Sequence, residues 1–545
     1  MEQSAASIVG VWEVHAPDAP FPWHVMTFTP EGTMTQSNPH EGNRDDSDSS
    51  GHGVWQVVAS APGQETIAGK FVEFKADRST GAYIGKGEIQ FHITVEGDEF
   101  TGTSAAYRYN AAGKLTRGPL SSPVHGKRIT TGASVTAEQT PATTASPLKL
   151  SDYAEGAPVD ALNELFHKIG RRTANMAAHG EKFISLAVGA PDNRILHLEL
   201  ERELHESAFR EYGPAVLNYR FTAFEPAMQR FLASQGVVFD DQTGIQLTSG
   251  GMNAITLGVQ AIINQGDVVL AEAPGFTGTL SVLLQAGAQV IQIPCGPAGV
   301  TPETVEAAFR QHKPKLIALM PDNQNPTGAV MPLAARQAIA KLAQDYNVAV
   351  VEDGAYYNLR VEGEALPPLQ SFAPDRVLYA TSFSKVLWPA IRVGALVAPK
   401  QIIAATSRMH FNNEMVTSPI NAAIAERFIS NDKLLRWRFA ELQQTYRVRR
   451  DALLAALQQE FPDGSGYSWT HPAGGMFLWF TAPPYIDLGK TLDAALQNGV
   501  GYVPGNTCYT LGNEAAPNTA RLNFASSSPE DIQEGVRRLS KTLGV

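Results

Sequence analysis

Tyr379-Ala-Thr-Ser-Phe-Ser-Lys-Val-Leu-Trp-Pro-Ala-Ile-Arg-Val-Gly394 is the stretch from which this 545-residue chain is read. The apolar run Val377-Leu-Tyr-Ala leads into Ser382-x-Ser384-Lys385, and Arg392 follows seven residues later inside a second apolar segment. Burying a lysine is costly unless it has a task. A desolvated lysine near other positive charge has a lowered pKa, and its amine becomes a usable nucleophile. The hydroxyls of Ser382 and Ser384 and the rigid fork of Arg392 suit a phosphate beside it.

These properties together predict a Schiff base between Lys385 and an aldehyde cofactor with a phosphate, pyridoxal 5'-phosphate. Ser-x-x-Lys alone also describes a surface lysine at a strand end, so the decision rests on partners elsewhere in the chain.

Length predicts several units rather than one. Lys+Arg 43 against Asp+Glu 54 gives a net charge of −11, which argues against nonspecific nucleic-acid binding. Two cysteines, Cys295 and Cys508, are too few and too far apart for a disulfide framework. The start Met-Glu-Gln-Ser-Ala-Ala-Ser lacks a basic n-region, and no apolar run reaches the ~20 residues a membrane helix needs. The expectation is a soluble, cytoplasmic protein without membrane or nucleic-acid partners.

Residues 6 to about 130 alternate with period two between turn signals. Trp12-Glu-Val-His and His24-Val-Met-Thr-Phe begin the series, with a turn at Pro30-Glu31-Gly32. Gly53-Val-Trp-Gln-Val-Val, Lys70-Phe-Val-Glu-Phe-Lys, Gly87-Glu-Ile-Gln-Phe-His-Ile-Thr-Val and Phe100-Thr-Gly-Thr-Ser-Ala-Ala-Tyr continue it. An antiparallel barrel or sandwich over 1–130 is expected. The Gly10-Val-Trp12 opening and Phe28-Thr-Pro-Glu-Gly-Thr resemble small calycin or lipocalin-like barrels. His24, His40, His52, Asp45, Asp46 and Asp48 have no tight metal-ligand spacing, so Glu41 to Ser50 reads as a solvated loop and no metal is expected. Residues 131–148, rich in Thr, Ala and Pro, read as a linker.

From about 150 the pattern becomes alternating helices and short buried strands, an α/β unit with a mostly parallel sheet. We divide it into 149–205, an N-terminal arm and part of a small domain; 206–414, a cofactor-binding large domain; and 415–545, a smaller α+β domain. Thr248-Ser-Gly-Gly-Met252 follows an apolar strand and opens a helix, so its backbone amides form an anion cradle. Glu272-Ala-Pro-Gly-Phe276 supplies an aromatic able to stack on a planar ring. Asn325 in Pro321-Asp-Asn-Gln-Asn-Pro-Thr-Gly328 falls at the carboxyl end of a strand, where α/β sheets bind ligands. Asp353 and Tyr356 leave the next strand, and a carboxylate there can pair with a protonated pyridine nitrogen.

Asn325-Pro-Thr-Gly, Glu352-Asp353-x-x-Tyr356, Ser382-x-Ser-Lys385 with Arg392, Gly474-Gly-Met-Phe-Leu-Trp and Arg521-Leu-Asn-Phe occur in the order found in fold-type I pyridoxal-phosphate enzymes. Over about 150–545 the chain resembles the class I/II aminotransferases, most closely the branch of 2-aminoadipate and aromatic transaminases and of the aminotransferase-like half of MocR regulators. The resemblance implies that Lys385 holds the cofactor and shuttles the proton. It implies that Asp353 pairs with the ring nitrogen, Phe276 stacks on the ring, and Asn325 and Tyr356 bind the ring oxygen. Ser382, Ser384, Arg392 and the amides of Gly250, Gly251 and Met252 would hold the phosphate, joined by Tyr219 from a second subunit. Arg521 would take the substrate α-carboxylate near the backbone of Gly189. A homodimer with shared sites follows.

The family's usual Gly-Ser/Ala-Gln turn is here Gly250-Gly251-Met252. Its Tyr-Gly-x-x-x-Gly stretch is Tyr219-Arg-Phe-Thr-Ala-Phe224, and Trp388 replaces a small residue. The implied reaction is transfer of an amino group between an α-amino acid and a 2-oxo acid. Elimination, replacement or cyclisation at the β- or γ-carbon is the alternative that these changes keep open. A MocR-type regulator needs a basic, helical DNA-binding segment, whereas the first 130 residues read as strands with 10 Lys+Arg against 15 Asp+Glu. Phe224, Trp388 and Tyr357 are expected at the pocket edge, favouring a bulky or apolar side chain.

Overall fold

Alternation of inward apolar and outward polar residues shapes the first unit of the chain. In the computed structural model, the described residues are 7–18, 23–37, 46–48, 51–61, 63–77, 82–129, 160–219, 221–510 and 515–545. The chain divides into two compact units, Met1–Pro147 and Leu148–Val545. The proposed linker 131–148, together with His40, Asp45 and Arg220, lies outside the described residues.

Eight strands build the first unit: Gly10–His15, Trp23–Phe28, Thr33–Ser37, Gly51–Ala61, Gln64–Asp77, Tyr83–Glu96, Glu99–Asn110 and Leu115–Arg128. Each pairs antiparallel with the next, and the last pairs with the first, which closes an up-and-down barrel. Trp12, Phe28, Phe71, Phe91, Ile93 and Phe100 fill its core. At one end the Arg128 guanidinium lies 4.3 Å from the Trp12 ring centre and donates to the Val9 carbonyl at 2.6 Å, while Trp12 Nε1 donates to Ile8 at 2.8 Å. The Gly32 turn stands as read, with Gly32 at φ 79° donating to the Thr29 carbonyl. One expectation is corrected: within Glu41–Ser50, Asp46–Asp48 is a short strand paired with Lys75–Asp77, because the long Gln64–Asp77 strand extends past its barrel neighbour and offers a free edge.

A seven-stranded sheet forms the centre of the second unit. Its order from one edge is Thr243–Thr248, Gly394–Pro399, Val377–Ser382, Ala349–Asp353, Leu316–Leu319, Val268–Ala273 and Gln289–Pro294. Only Gly394–Pro399 runs antiparallel to its neighbours. The inner strands read as continuous apolar runs because helices cover both faces, and Leu316–Leu319 is buried at every position. A smaller antiparallel sheet joins Ser468–Trp469, Phe477–Thr481, Thr519–Asn523 and Val503–Pro504. The helix Asp160–Ala178 packs Leu165, Ile169 and Met176 against Leu496 and Val503 of this part, and Ile184–Ser185 pairs with Val500–Gly501. Among the described residues, no helix is long and apolar enough to cross a membrane.

Candidate active site

Parallel strands deliver their carboxyl ends to one edge of the sheet, and the residues singled out above gather there. Asp353 ends the strand Ala349–Asp353 and Ser382 ends Val377–Ser382. Asn325 follows Leu316–Leu319, and Gly250 follows Thr243–Thr248. The small sheet contributes Arg521, whose strand brings it 196 residues in sequence from its partner Asn325.

Lys385 Nζ donates to the Gly189 carbonyl at 2.7 Å. Burial, and then the positive charge of Arg521, push its pKa down to about 8, against the pull of Asp353. Asp353 is buried; desolvation pushes its carboxyl up to about 6, while the Ala355 amide, donating at 2.9 Å, and Lys385 oppose the rise. Burial, followed by the charge of Asp353, also raises the Tyr356 hydroxyl, which hydrogen-bonds Asn325. Phe276 and Asp353 line one cavity at this edge.

Arg521 Nη1 donates to Asn325 Oδ1 at 3.0 Å and Nη2 to the Ala187 carbonyl at 2.8 Å. Its flat face lies over Phe477, 4.2 Å from the ring centre, and Phe477 meets Tyr356 edge-on at 5.9 Å. Gly189 leaves room for that ring, since a Cβ there would come within 2.8 Å of Phe477 Cζ. Among the described residues, Arg521 Nε is buried without a hydrogen-bond partner. A buried guanidinium N–H left open costs free energy, so this donor fits an incoming carboxylate.

The anion cradle lies at the other end. The helix Gly251–Ile262 begins with Gly250 at φ 90° and no side-chain cap, so its first amides are not taken up by a capping side chain. A Cβ on Gly250 would sit 2.8 Å from the Arg392 guanidinium. Arg392 Nη2 donates to the Ser249 carbonyl at 2.6 Å, and Ser382 Oγ donates to Ser384 Oγ at 3.1 Å. Gly251 packs against Ser382, whose Cβ would lie 3.2 Å from an added methyl. Met252 turns toward Gly278 and Phe276, placing a thioether where the family has an amide. The uncapped amides, the glycine-shaped space, two hydroxyls and a guanidinium fit the phosphate of pyridoxal 5'-phosphate.

Tyr219 is 70% exposed and lies outside this cluster, its amide donating to the Asn218 side chain. Two pocket-edge expectations are corrected. Phe224 is fully buried against Phe383, and the Tyr357 hydroxyl donates to the Gln235 carbonyl, so both stabilise the core. Both were read from aromatic character, which does not distinguish a pocket wall from packing. Trp388 is half-buried and precedes the turn Pro389–Ile391. Sequence reasoning gave no role to Glu272, the Ala187 carbonyl or Phe477. For the first and last the signal was their place inside quoted motifs; for a backbone carbonyl there was none.

Residues 181–539 match the family described as aminotransferase class I and II. Aromatic-amino-acid aminotransferase 1 of Thermococcus litoralis is 30% identical over 66% of this chain and 88% of its own length. The 2-aminoadipate transaminase of Thermus thermophilus is 30% identical over 66% of this chain and 90% of its own. A solved Pyrococcus horikoshii kynurenine aminotransferase, in complex with PMP, superposes with a TM-score of 0.66 at 30% identity, covering 72% of this chain and 96% of that one. The chain belongs to the class I and II aminotransferases. It is a pyridoxal-phosphate-dependent transferase of amino groups with a closed barrel as its first unit.

Proposed function

We propose that the edge around Lys385 binds pyridoxal 5'-phosphate and exchanges amino groups between aromatic or similarly large α-amino acids and 2-oxo acids. The observation that carries this is the half-buried Lys385 amine, held 2.7 Å from the Gly189 carbonyl at the sheet edge that also carries Asp353, with desolvation and the charge of Arg521 pushing its pKa down to about 8. When bound, the cofactor supplies an aldehyde and an electron-withdrawing ring that takes up the electrons of the breaking α-C–H bond. Lys385 would hold the aldehyde through its amine with loss of water and, once displaced by the substrate's amino group, its free amine would be placed to move the proton of the substrate α-carbon. Asp353, ionised above about pH 6, holds the ring nitrogen protonated. Asn325 and Tyr356 donate to the ring oxygen, and Phe276 covers a ring face. Gly250, Gly251, Met252, Ser382, Ser384 and Arg392 hold the phosphate. Arg521 orients the substrate carboxylate beside Gly189.

Tyr219 is assigned to the phosphate of a partner copy, which makes the working unit a homodimer acting in the cytoplasm. The choice of large side chains rests on relatives described as aromatic-amino-acid and kynurenine aminotransferases. Single-turnover assays with phenylalanine, tyrosine, kynurenine, 2-aminoadipate, aspartate and alanine test it. Fastest turnover of the aromatic donors is expected; preference for aspartate or alanine would overturn the substrate class.

A further inference from the structure

The turn that carries Phe276 is fastened to the small sheet by one side chain. Gln292 lies on Gln289–Pro294, the edge strand of the seven-stranded sheet, in register with Ala271 of Val268–Ala273. Its Nε2 donates to the Glu272 carbonyl at 2.8 Å and to the Cys508 carbonyl at 3.2 Å. Its Oε1 accepts the Thr510 amide at 2.7 Å and the Thr510 hydroxyl at 3.1 Å. Both N–H groups and both lone pairs of the amide are therefore used. The reverse orientation would set its oxygen against two carbonyls, so the four bonds hold the side chain in one pose.

Two further bonds join the same segments. The Gly275 amide donates to the Cys508 carbonyl at 3.0 Å, and the Thr277 hydroxyl donates to the Thr507 carbonyl at 2.9 Å. The turn is tight, since a Cβ on Gly275 would lie 2.6 Å from the Glu272 carbonyl oxygen, the same oxygen that Gln292 holds. Gly275 and Phe276 line the cavity together with Asp353. On the other side of the clasp, Gly505–Cys508 follows directly on Val503–Pro504, and Val503 is in register with Arg521. Gln292 thus joins the turn that presents Phe276 to the chain that runs beside Arg521.

We propose that Gln292 is a positioning residue: it clasps Cys508 and Thr510 to the turn 272–276, and so sets the Phe276 ring in the cofactor cavity at a fixed spacing from Arg521. This rests on the cofactor and substrate assignments of Phe276 and Arg521 above. With the clasp closed the turn is ordered before the cofactor arrives; without it, binding has to order the turn and affinity falls. Leucine at 292 removes all four bonds. Glutamate keeps an acceptor for Thr510 but turns an oxygen toward the Glu272 and Cys508 carbonyls.

Calorimetric binding of pyridoxamine 5'-phosphate, which makes no bond to Lys385, tests this as a double-mutant cycle. Phe276→Leu loses the stacked ring and should bind about tenfold more weakly. Gln292→Leu should weaken binding by a similar factor, and the double variant should stay within about threefold of the weaker single variant, because both act through one ring. Gln292→Glu should match Gln292→Leu, and it carries the same comparison if the leucine variant does not fold. At saturating pyridoxal phosphate, the visible circular dichroism of the bound cofactor should change alike in Gln292→Leu and Phe276→Leu. Wild-type affinity or an unchanged spectrum in the position 292 variants, or a double variant about a hundredfold weaker than wild type, overturns the proposal.

Hydrogen exchange of the cofactor-free protein reads the clasp itself. In Gln292→Leu the peptides containing Gly275 and Thr510 should exchange about tenfold faster, with the buried strand Leu316–Leu319 unchanged. Unchanged exchange at Gly275 and Thr510, or equal acceleration in Leu316–Leu319, would make Gln292 no clasp or only a general stabiliser and overturns its positioning role. Wild-type affinity in Phe276→Leu would instead sink the stacking assignment, and failure of the wild type to bind would sink the cofactor assignment, while exchange still reports on Gln292.

Discussion

At the residue scale, two titrations govern the site. Lys385 reacts with an aldehyde only as the free amine, so trapping of bound pyridoxal phosphate by borohydride should speed up about tenfold per unit up to pH 8 and then level off. Mapping the labelled peptide places the adduct; a label away from Lys385 contradicts the assignment. Asp353 must be ionised to hold the ring proton, so cofactor affinity should weaken below about pH 6 in wild type. Asp353→Asn should lack that acid limb and lose about 2–5 kcal/mol of binding, the cost of unpairing a buried charge, as read by titration calorimetry. Lys385 was legible in sequence because it is a polar residue set between apolar runs, Asn325 and Asp353 because they fall at the carboxyl ends of buried strands, and Arg521 through the order of the motifs. Glu272 met the same description. Its burial beside Gln324 and Cys295 was hidden, because its partners depend on which groups fold around it, and sequence gives no distances. Phe224 and Tyr357 failed the other way, since a core and a pocket use the same aromatic residues.

At the scale of elements, the cradle depends on one turn between the strand Thr243–Thr248 and the helix Gly251–Ile262. Gly250→Ala puts a methyl 2.8 Å from the Arg392 guanidinium at φ 90°, so it should cost about 1 kcal/mol or more in stability and weaken inorganic-phosphate binding severalfold. Differential scanning calorimetry and phosphate titration check the two parts; unchanged phosphate affinity would remove this turn from the phosphate site. The barrel strands could be read from alternation because each has one buried and one exposed face. Their closure could not, since period-two patterning says nothing about which strand pairs with which. The large sheet was legible as mostly parallel, yet its antiparallel Gly394–Pro399 looks the same in sequence, as a continuous buried apolar run.

At the scale of the whole molecule, the two units have separate apolar cores, one around Trp12 and Phe91 and others around the seven-stranded sheet. Heating should give two transitions, with pyridoxal phosphate raising only that of Leu148–Val545. A single transition shifted as a whole would contradict independent units. Among the described residues 7–129 the regular elements are strands, and none is a helix. The change from period two to buried strands alternating with helices made this division legible. What the barrel recognises was not, because packing residues such as Phe71 and Phe91 serve any barrel core equally.

The most direct test is a single-turnover reaction of the cofactor-loaded protein with an aromatic amino acid and no oxo acid, following the visible absorption band and the released product together. One equivalent of the matching 2-oxo acid per site, with conversion of the cofactor to its amine form and loss of both signals in Lys385→Ala, is the expected result. Release of ammonia or of a β- or γ-substituent, with the aldehyde form regenerated, would contradict amino transfer at this site.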